Sequence, residues 1–537
     1  MSGSQPDETT SMRSSFGLFR RSAIRRYERI GWIIVGLICV TFPVFGQAAA
    51  CPSTSVPAAA EADKAYSQKR YADAENLYVK ALAQQPKNIE LTAGLVRTLL
   101  QEGKISQASA QVDSPENARS AIALTALAEV QLRQGLPWLT MKSLDAAQAA
   151  NPCYARSHLV RSRALRIDSM YASERAEIQR AYEIDPTDPD IQGAWRDIVS
   201  PASEIKSIDQ SLATMNDLDA KARQTAETSA HTLMLQLSEN SQNCQVLPTV
   251  ASAKLPLVAS IENKLRHLYR YQLEVQLPQS KANLLVDTAA SGLYISRALA
   301  EQNNLHQGAG APEGTVHVDD VNIGPLEFRD CTVGVSDTPF PDKADGIIGT
   351  DIFASYLITL DFRSKRLTLD PLPAEPGLLP GDRVVPPELK DFTPVYHRRQ
   401  YLLLPVTLNK KSCRLFVLGS GMPYTAITSE VAHSVSNSRA DFTNSARAAS
   451  GAKEEFYSDK FDLQLANLPL IQHRRIAEFD LSAMDQNAGF QVAGGLGLDI
   501  LHPMVLHLDY RDGLVKFDLA DEELMPVQRN GTSISVM

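Results

Sequence analysis

Cysteine is scarce in this sequence, six in 537 residues, which excludes a small disulfide-stapled scaffold. Positive charge is the minority sign: 53 Lys and Arg against 62 Asp and Glu leave a net charge of −9. That balance excludes a chain built to hold nucleic acid, which needs a basic face for phosphate. Long apolar runs are missing except for one, so a multi-span membrane transporter is excluded as well. Histidine and cysteine never fall at zinc-binding spacing, and His231, His267, His397 and His473 stand alone. No cofactor box is present, so neither a metal nor a cofactor is expected. Gly494-Gly-Leu-Gly497 does not open a clear helix and is not a phosphate loop, and Gly419-Ser420-Gly421 lacks the nucleophile-elbow pattern. Hydrophobic residues are 44% and charged residues 21%, an ordinary globular balance that excludes wholesale disorder. The length accommodates about three or four domains.

The one apolar run is N-terminal. Arg13, Arg20, Arg21, Arg25, Arg26 and Arg29 precede it, and Ile30–Phe45 is followed by Ala48-Ala49-Ala50. A basic region, a short apolar core and small residues make residues 1–50 a secretory signal peptide or, if uncleaved, a membrane anchor through residues 30–45. Cys51 directly follows the alanines and loosely resembles a bacterial lipoprotein box, which adds lipidation at Cys51 as an alternative anchor. The expected location is exported: periplasmic or otherwise extracytoplasmic. There Cys51, Cys153, Cys244, Cys331 and Cys413 are able to oxidise; five is odd, and the pairing stays open.

Residues 58–196 carry a helical repeat. Pro86, Pro152 and Pro186 end similar segments at intervals of 66 and 34. In the same phase stand Ala81, Ala147 and Ala181, and before them Tyr78, Leu144 and Ile178. A small residue where two helices touch, a large one in the next layer and a terminating proline suit paired helices stacked into a solenoid. Gly103 and Gly135 fall at the turns within the pairs. Tyr71–Pro86 resembles the second helix of a tetratricopeptide repeat. About four units are expected, the second interrupted by Ser114-Pro115. Such solenoids offer a concave face to a protein or peptide partner. Residues 197–252 read as one more helix, Ala202–Leu237, and a polar linker, Ser238–Gln245.

Beyond Lys254 short alternating runs replace the helical pattern, and period two means strands. This half repeats itself. Ile348-Gly-Thr-Asp-Ile-Phe353 returns 148 residues on as Leu496-Gly-Leu-Asp-Ile-Leu501, and Leu360-Asp-Phe-Arg363 returns as Leu508-Asp-Tyr-Arg511. Leu284-Leu-Val-Asp-Thr-Ala289 matches Phe416-Val-Leu-Gly-Ser-Gly421 at an offset of 132, the difference being an insertion within Ser434–Glu455. Val321–Phe328 resembles Leu463–Leu470. Two homologous lobes follow, within 253–375 and 390–522, with a tail at 523–537.

Leu284-Leu-Val-Asp-Thr-Ala-Ala-Ser-Gly-Leu-Tyr-Ile-Ser296 resembles the active-site loop of retropepsin-like aspartic proteases. Ala344–Gly349 resembles the apolar-apolar-Gly turn packed beneath that loop, and Thr315–Val335 is placed to form the hairpin flap between them. The fold class expected is multidomain α + β: an N-terminal α-solenoid of tetratricopeptide-like hairpins, then a duplicated all-β retropepsin/pepsin-like domain. The resemblance implies that Asp287 is the catalytic carboxylate. It also implies an active-site loop of Thr288, Ala289, Ser291 and Gly292, with Thr288 bonding across the lobe interface. Asp345, Asp351, Asp361, Asp499 and Asp509 read as structural turn and cap carboxylates.

The chemistry needs two carboxylates at one water, one ionised as base and one protonated as acid. The second lobe's degenerate loop has Gly419, Ser420 and Gly421, with no carboxylate. Ala289 stands where the family has glycine, a strain if that position needs a positive φ. Three arrangements are compatible: a homodimer through lobe 1, a one-chain cleft that binds without chemistry, or one carboxylate helped by another group. The function expected is an exported aspartic-type endopeptidase acting on a peptide or protein substrate. The alternative is a catalytically inactive pseudoprotease scaffold that binds peptide or protein.

Overall fold

The computed structural model describes Cys51 and residues 59–112, 119–199, 244–247, 250–263, 268–308, 312–374, 381–410 and 412–435. It further describes short pieces between 438 and 485, then 489–519 and 533–535. The expected leader (1–50) and the helix expected over Ala202–Leu237 lie outside the described residues. So do most of the linker, the insertion and the tail.

The first half is helical hairpins: Ala60–Ser67 with Tyr71–Gln84, Ile89–Gln101 with Ile105–Val112, Ala121–Arg133 with Pro137–Ala150, and Ala155–Ile167 with Tyr171–Ile184. A further helix runs over 189–199. One turn type closes the first helix of every pair. Lys69, Gly103, Gly135 and Ser169 take positive φ. Each donates its N–H to the carbonyl three residues back, and the following residue donates to the carbonyl five back, as in Lys104 N to Leu99 O at 2.9 Å. This is the Schellman ending, repeated four times. Asn88 and Ser120 start two of the helices by accepting N–H bonds from the first turn. Ala147 and Ala181 are buried where helices cross, beside Leu144 and Ile178; in the first unit Tyr78 is buried and Ala81 only half-buried. The phase that the prolines mark is therefore the packing phase.

The second half is β-structure in two copies. In the first, strand Lys281–Asp287 lies parallel to Gly346–Gly349, which pairs antiparallel with Leu293–Ser296. In the second, Ser412–Leu418 lies parallel to Gly494–Leu496, which pairs antiparallel with Ala426–Ile427. The copies meet in a sheet of six strands among the described residues, where Tyr356–Asp361 runs against Met504–Asp509. In that pairing Thr359 faces His507, its own counterpart 148 residues on. Thr359 Oγ1 and His507 Nδ1 are 2.9 Å apart, so the local two-fold passes between them.

The hairpin Thr315–Ile323 with Leu326–Ser336 corrects one expectation. Its turn is not a free flap tip. Val321, Ile323 and Leu326 are fully buried, and a Cβ added at Gly324 would meet Leu255 of the inter-lobe sheet at 2.4 Å. A cover that opens over a cleft needs an unpacked tip, and this one is anchored in the core.

Among the described residues two disulfides form, Cys51–Cys153 and Cys244–Cys331, and Cys413 is free. The first pins Cys51 to the third helical pair. The second pins the strand Gln245–Val246 to the core hairpin. In this structure the Cys51 sulfur, the atom a lipid thioether would use, is engaged by Cys153. No helix among the described residues is long and apolar enough to cross a membrane.

The solenoid and the second lobe form one body. Gln491 N donates to Arg133 O at 2.8 Å, and Arg383 N donates to Ser169 O at 3.0 Å. The Arg383 guanidinium reaches Asp168 at 2.6 Å. Ser173 N donates to Asp382 at 2.8 Å. Leu132, Trp138 and Ile167 from the helices share one apolar cluster with Tyr401, Leu403, Leu415, Val417, Phe490 and Val492, and with Ala289 of the first lobe.

Candidate active site

Asp287 stands at the C-terminal end of an apolar strand, Leu284, Leu285 and Val286 being buried. The next residue makes the joint between the lobes. Thr288 Oγ1 donates to Leu418 O at 2.7 Å, and Thr288 N donates to Ser420 Oγ at 3.0 Å. Ser420 returns both bonds: its N donates to Thr288 Oγ1 and its Oγ to Val286 O, each at 3.0 Å. Thr288 and Ser420 are counterparts in the two copies, and both are buried. Four reciprocal bonds in a dry interface fix the two loops face to face within one chain.

Across that joint the carboxylate is held asymmetrically. Asp287 Oδ1 accepts from Ala289 N at 2.9 Å and from Gly421 N at 3.1 Å. Its Oδ2 accepts no hydrogen bond from the described residues. Burial raises the Asp287 pKa above the ordinary carboxylate value. The two N–H bonds and the charge of Arg270 oppose that rise without cancelling it. Gly421 must be glycine here, because a Cβ would sit 2.4 Å from Asp287 Oδ2.

Ala289 needs no positive φ; the left-handed position of this loop is Gly292, at +65°. The conditional strain at Ala289 therefore does not arise. Its methyl group is buried in the cluster shared with the solenoid. Ser291 and Gly292 face away from Asp287: Ser291 Oγ donates to Asp351 at 2.7 Å and Gly292 N at 2.9 Å. Asp499 does the same in the second copy, accepting from Thr425 N at 2.7 Å and Oγ1 at 2.8 Å. Asp361 and Asp509 each accept the N–H three residues on, at 2.9 and 3.1 Å, as turn carboxylates do. Asp345 accepts from Asn283 N at 2.8 Å.

Opposite Asp287, at Gly419, the structure has a thioether instead of a second carboxylate. A Cβ built on Gly419 would lie 2.7 Å from Met422 Sδ, and one on Gly495 would also lie 2.7 Å from it. Met422 fills the space between these two glycines.

Sequence reasoning passed over Met422, Arg270 and Tyr510. Arg270 is buried. Its Nε donates to Gly421 O at 3.1 Å and its Nη1 reaches Asp342 at 3.2 Å. It thus ties the second lobe's loop to the first lobe. The signal was faint, one arginine on the polar phase of an alternating strand. Tyr510, buried under the joint, pairs its hydroxyl with Thr350 Oγ1 at 2.6 Å.

Comparison with known proteins agrees with this division. Residues 65–129 match the tetratricopeptide repeat family model, and residues 273–352 match the aspartyl protease family model. The chain thus joins a tetratricopeptide-type helical segment to an aspartyl-protease-type β domain. Among solved structures, a thermophilic tetratricopeptide protein from Thermus thermophilus is similar at 21% identity, over 32% of this chain and 96% of that one, with a TM-score of 0.24. An aspartic proteinase from Irpex lacteus is similar at 13% identity, over 50% of this chain and 98% of that one, with a TM-score of 0.30. No curated protein matches.

Proposed function

We propose that this is an exported, single-chain protein of aspartyl protease type whose two-lobed cleft takes a peptide or protein segment at Asp287, the repeats recruiting that partner. The observation that carries this reading is the reciprocal Thr288–Ser420 bonding. It gives the first lobe's partner surface to the second lobe. A homodimer through lobe 1 would have to part these bonds, at a cost of about 1–3 kcal/mol for each buried group left unpaired. In the one-chain cleft Asp287 has no second carboxylate opposite it, and a lone carboxylate is not base and acid at once. The cleft therefore binds more readily than it cuts. Two disulfides support an oxidising location outside the cytoplasm.

One observation favours the second reading, an Asp287-dependent endopeptidase. The carboxyl keeps a raised pKa and an oxygen without a donor among the described residues, so a water can donate to it or, once protonated, it can donate to a scissile carbonyl. The test is a diverse peptide pool incubated with the protein from acid to neutral pH beside an Asp287→Asn variant. Retention of peptides by both proteins without cleavage is the expected result. Products made by the wild type alone would replace the binding reading with hydrolysis.

A further inference from the structure

The helices and the second lobe line a half-open cavity of ≈ 240 Å³. Six arginines line it, Arg97, Arg133, Arg156, Arg163, Arg166 and Arg398, against one carboxylate, Glu129. Glu129 is already engaged by Arg156 at 2.6 Å, as are Asp190 at 3.0 Å and Asp188 at 3.4 Å. Glu174 holds Arg166 at 2.7 Å. Arg163 makes no ion pair or hydrogen bond with the described residues; its charge acts on Asp190 only at longer range, and Asp190 is already bonded to Arg156. Arg133 donates one bond, to Leu100 O at 3.2 Å, while its buried Nε has no hydrogen-bond partner. Burial and the nearby Arg163 charge lower the Arg133 pKa, against the pull of Asp485. Two cations of like sign thus face one half-open space with no carboxylate of the described residues within ion-pair reach of either. Both are half-buried, and an anion entering the space would pair with the two together.

Size and position identify the anion's carrier. The cavity is smaller than the roughly 300–1,000 Å³ of a pocket that encloses a whole small molecule. It suits one side chain of a longer ligand. Two of its residues, Arg97 and Arg156, also line the larger groove of ≈ 800 Å³ on the helices. At the other end, Ile167 and Phe490 line the cavity and belong to the apolar cluster that includes Ala289, two residues from Asp287. A chain lying in the helical groove would therefore meet the arginines at Arg97 and Arg156.

We infer that this cavity is a specificity subsite for an acidic side chain of the peptide that the cleft receives. The inference rests on the peptide-binding reading above and adds the substrate class. Arg133 and Arg163 supply the bidentate, permanently charged donors that suit a carboxylate.

The experiment uses the full chain carrying Asp287→Asn, so that nothing is cleaved. Fluorescent peptides rich in Glu are compared by anisotropy with the same peptides carrying Gln. At least about tenfold tighter binding of the Glu set is expected, weakening as salt rises. Arg163→Glu should abolish the preference, and Arg163→Gln should reduce it while circular dichroism reports an unchanged fold. Equal binding of both sets, or a preference that survives Arg163→Glu, would overturn the subsite. So would selectivity for inorganic phosphate over any peptide. Binding of both sets alike leaves the peptide cleft standing without the acidic subsite; binding of neither removes the cleft itself.

Discussion

Restoring the missing carboxylate tests the reading of the cleft directly. Gly419→Asp alone would place a Cβ 2.7 Å from Met422 Sδ and 3.0 Å from its Cγ. Overpacking of that kind costs about 1–3 kcal/mol. Met422→Ala removes both clashing atoms and leaves only the Met422 Cβ, 3.6 Å from the new Cβ, at ordinary contact distance. Met422 is half-buried, so its loss should cost less than the ~2–5 kcal/mol of a fully buried methionine. The double variant then has two carboxyls facing one another across the Thr288–Ser420 joint, able to share a proton. General acid–base catalysis of this kind contributes about 10²–10⁴-fold. Peptide cleavage at acid pH should therefore rise at least ~100-fold over Met422→Ala alone. The profile should be bell-shaped, and adding Asp287→Asn should erase the gain. A folded double variant with no gain would refute the claim that the absent carboxylate is what limits chemistry. Robust cleavage by the wild-type monomer would refute it from the other side.

Other expectations follow from the same contacts. Ser420→Ala strands Thr288 N–H and Val286 C=O in a dry interface and should cost about 2–4 kcal/mol, whereas Ser420→Thr should retain most of the stability; equal urea midpoints would contradict this. Gly135→Ala should lower Tm more than Gly103→Ala. Both positions have positive φ, but only the first would drive a Cβ to 2.2 Å from the Gln491 carbonyl in the second lobe. Stability should also depend on pH in a definite sense. Burial raises the carboxyls of Asp351 to about 6 and, with Asp512 nearby, of Asp509 to about 7, and raises Asp287 as well. The native state then holds protons that the unfolded chain has lost, so stability falls as pH rises from about 4 to about 7. Burial also acts to raise Asp190, but Arg156, Arg163 and the Tyr66 hydroxyl outweigh it and set the group at about 2. Its contribution is lost as pH drops below about 4. The urea midpoint should peak near pH 4–5, and a steady climb to neutral pH would contradict these assignments.

Much of the molecule was legible because its signals are local. A period of two marks strands, and a recurring proline marks helix ends. The Asp287-Thr288 strand end and the Gly346–Gly349 strand beneath it are contiguous in sequence, and each copy advertises the other. What was illegible depends on which faces meet. Met422 reads as an ordinary loop methionine until folding sets it between Gly419 and Gly495. Arg270 lies on the polar phase of its strand, and only the fold turns that phase inward toward Gly421 and Asp342. The hairpin taken for a flap has the right order and length, but the packing of Gly324 on Leu255 is a long-range fact.

The second lobe's unusual sequence also has a physical reason. In the first copy Asn283 is exposed between buried Ala282 and Leu284, so the strand alternates at its start, and only from Leu284 to Val286 is it buried on both faces. In the second copy the corresponding strand reads Leu415-Phe416-Val417-Leu418, apolar on both faces. Phe416 and Leu418 enter the main β core, while Leu415 and Val417 join Ile167, Leu132 and Trp138 of the helices. Tyr401 and Leu403 likewise face the helices, and Leu402 and Leu404 the core. A strand apolar on both faces is buried on both, so the loss of alternation in the second lobe marks the surface on which the solenoid sits. That accounts for a lobe whose hydrophobic frame is intact although its loop has Gly419 in place of a carboxylate. The frame is held by its two packing partners, the first lobe through Thr288 and the helices through this second face. Neither partnership depends on a carboxylate at position 419.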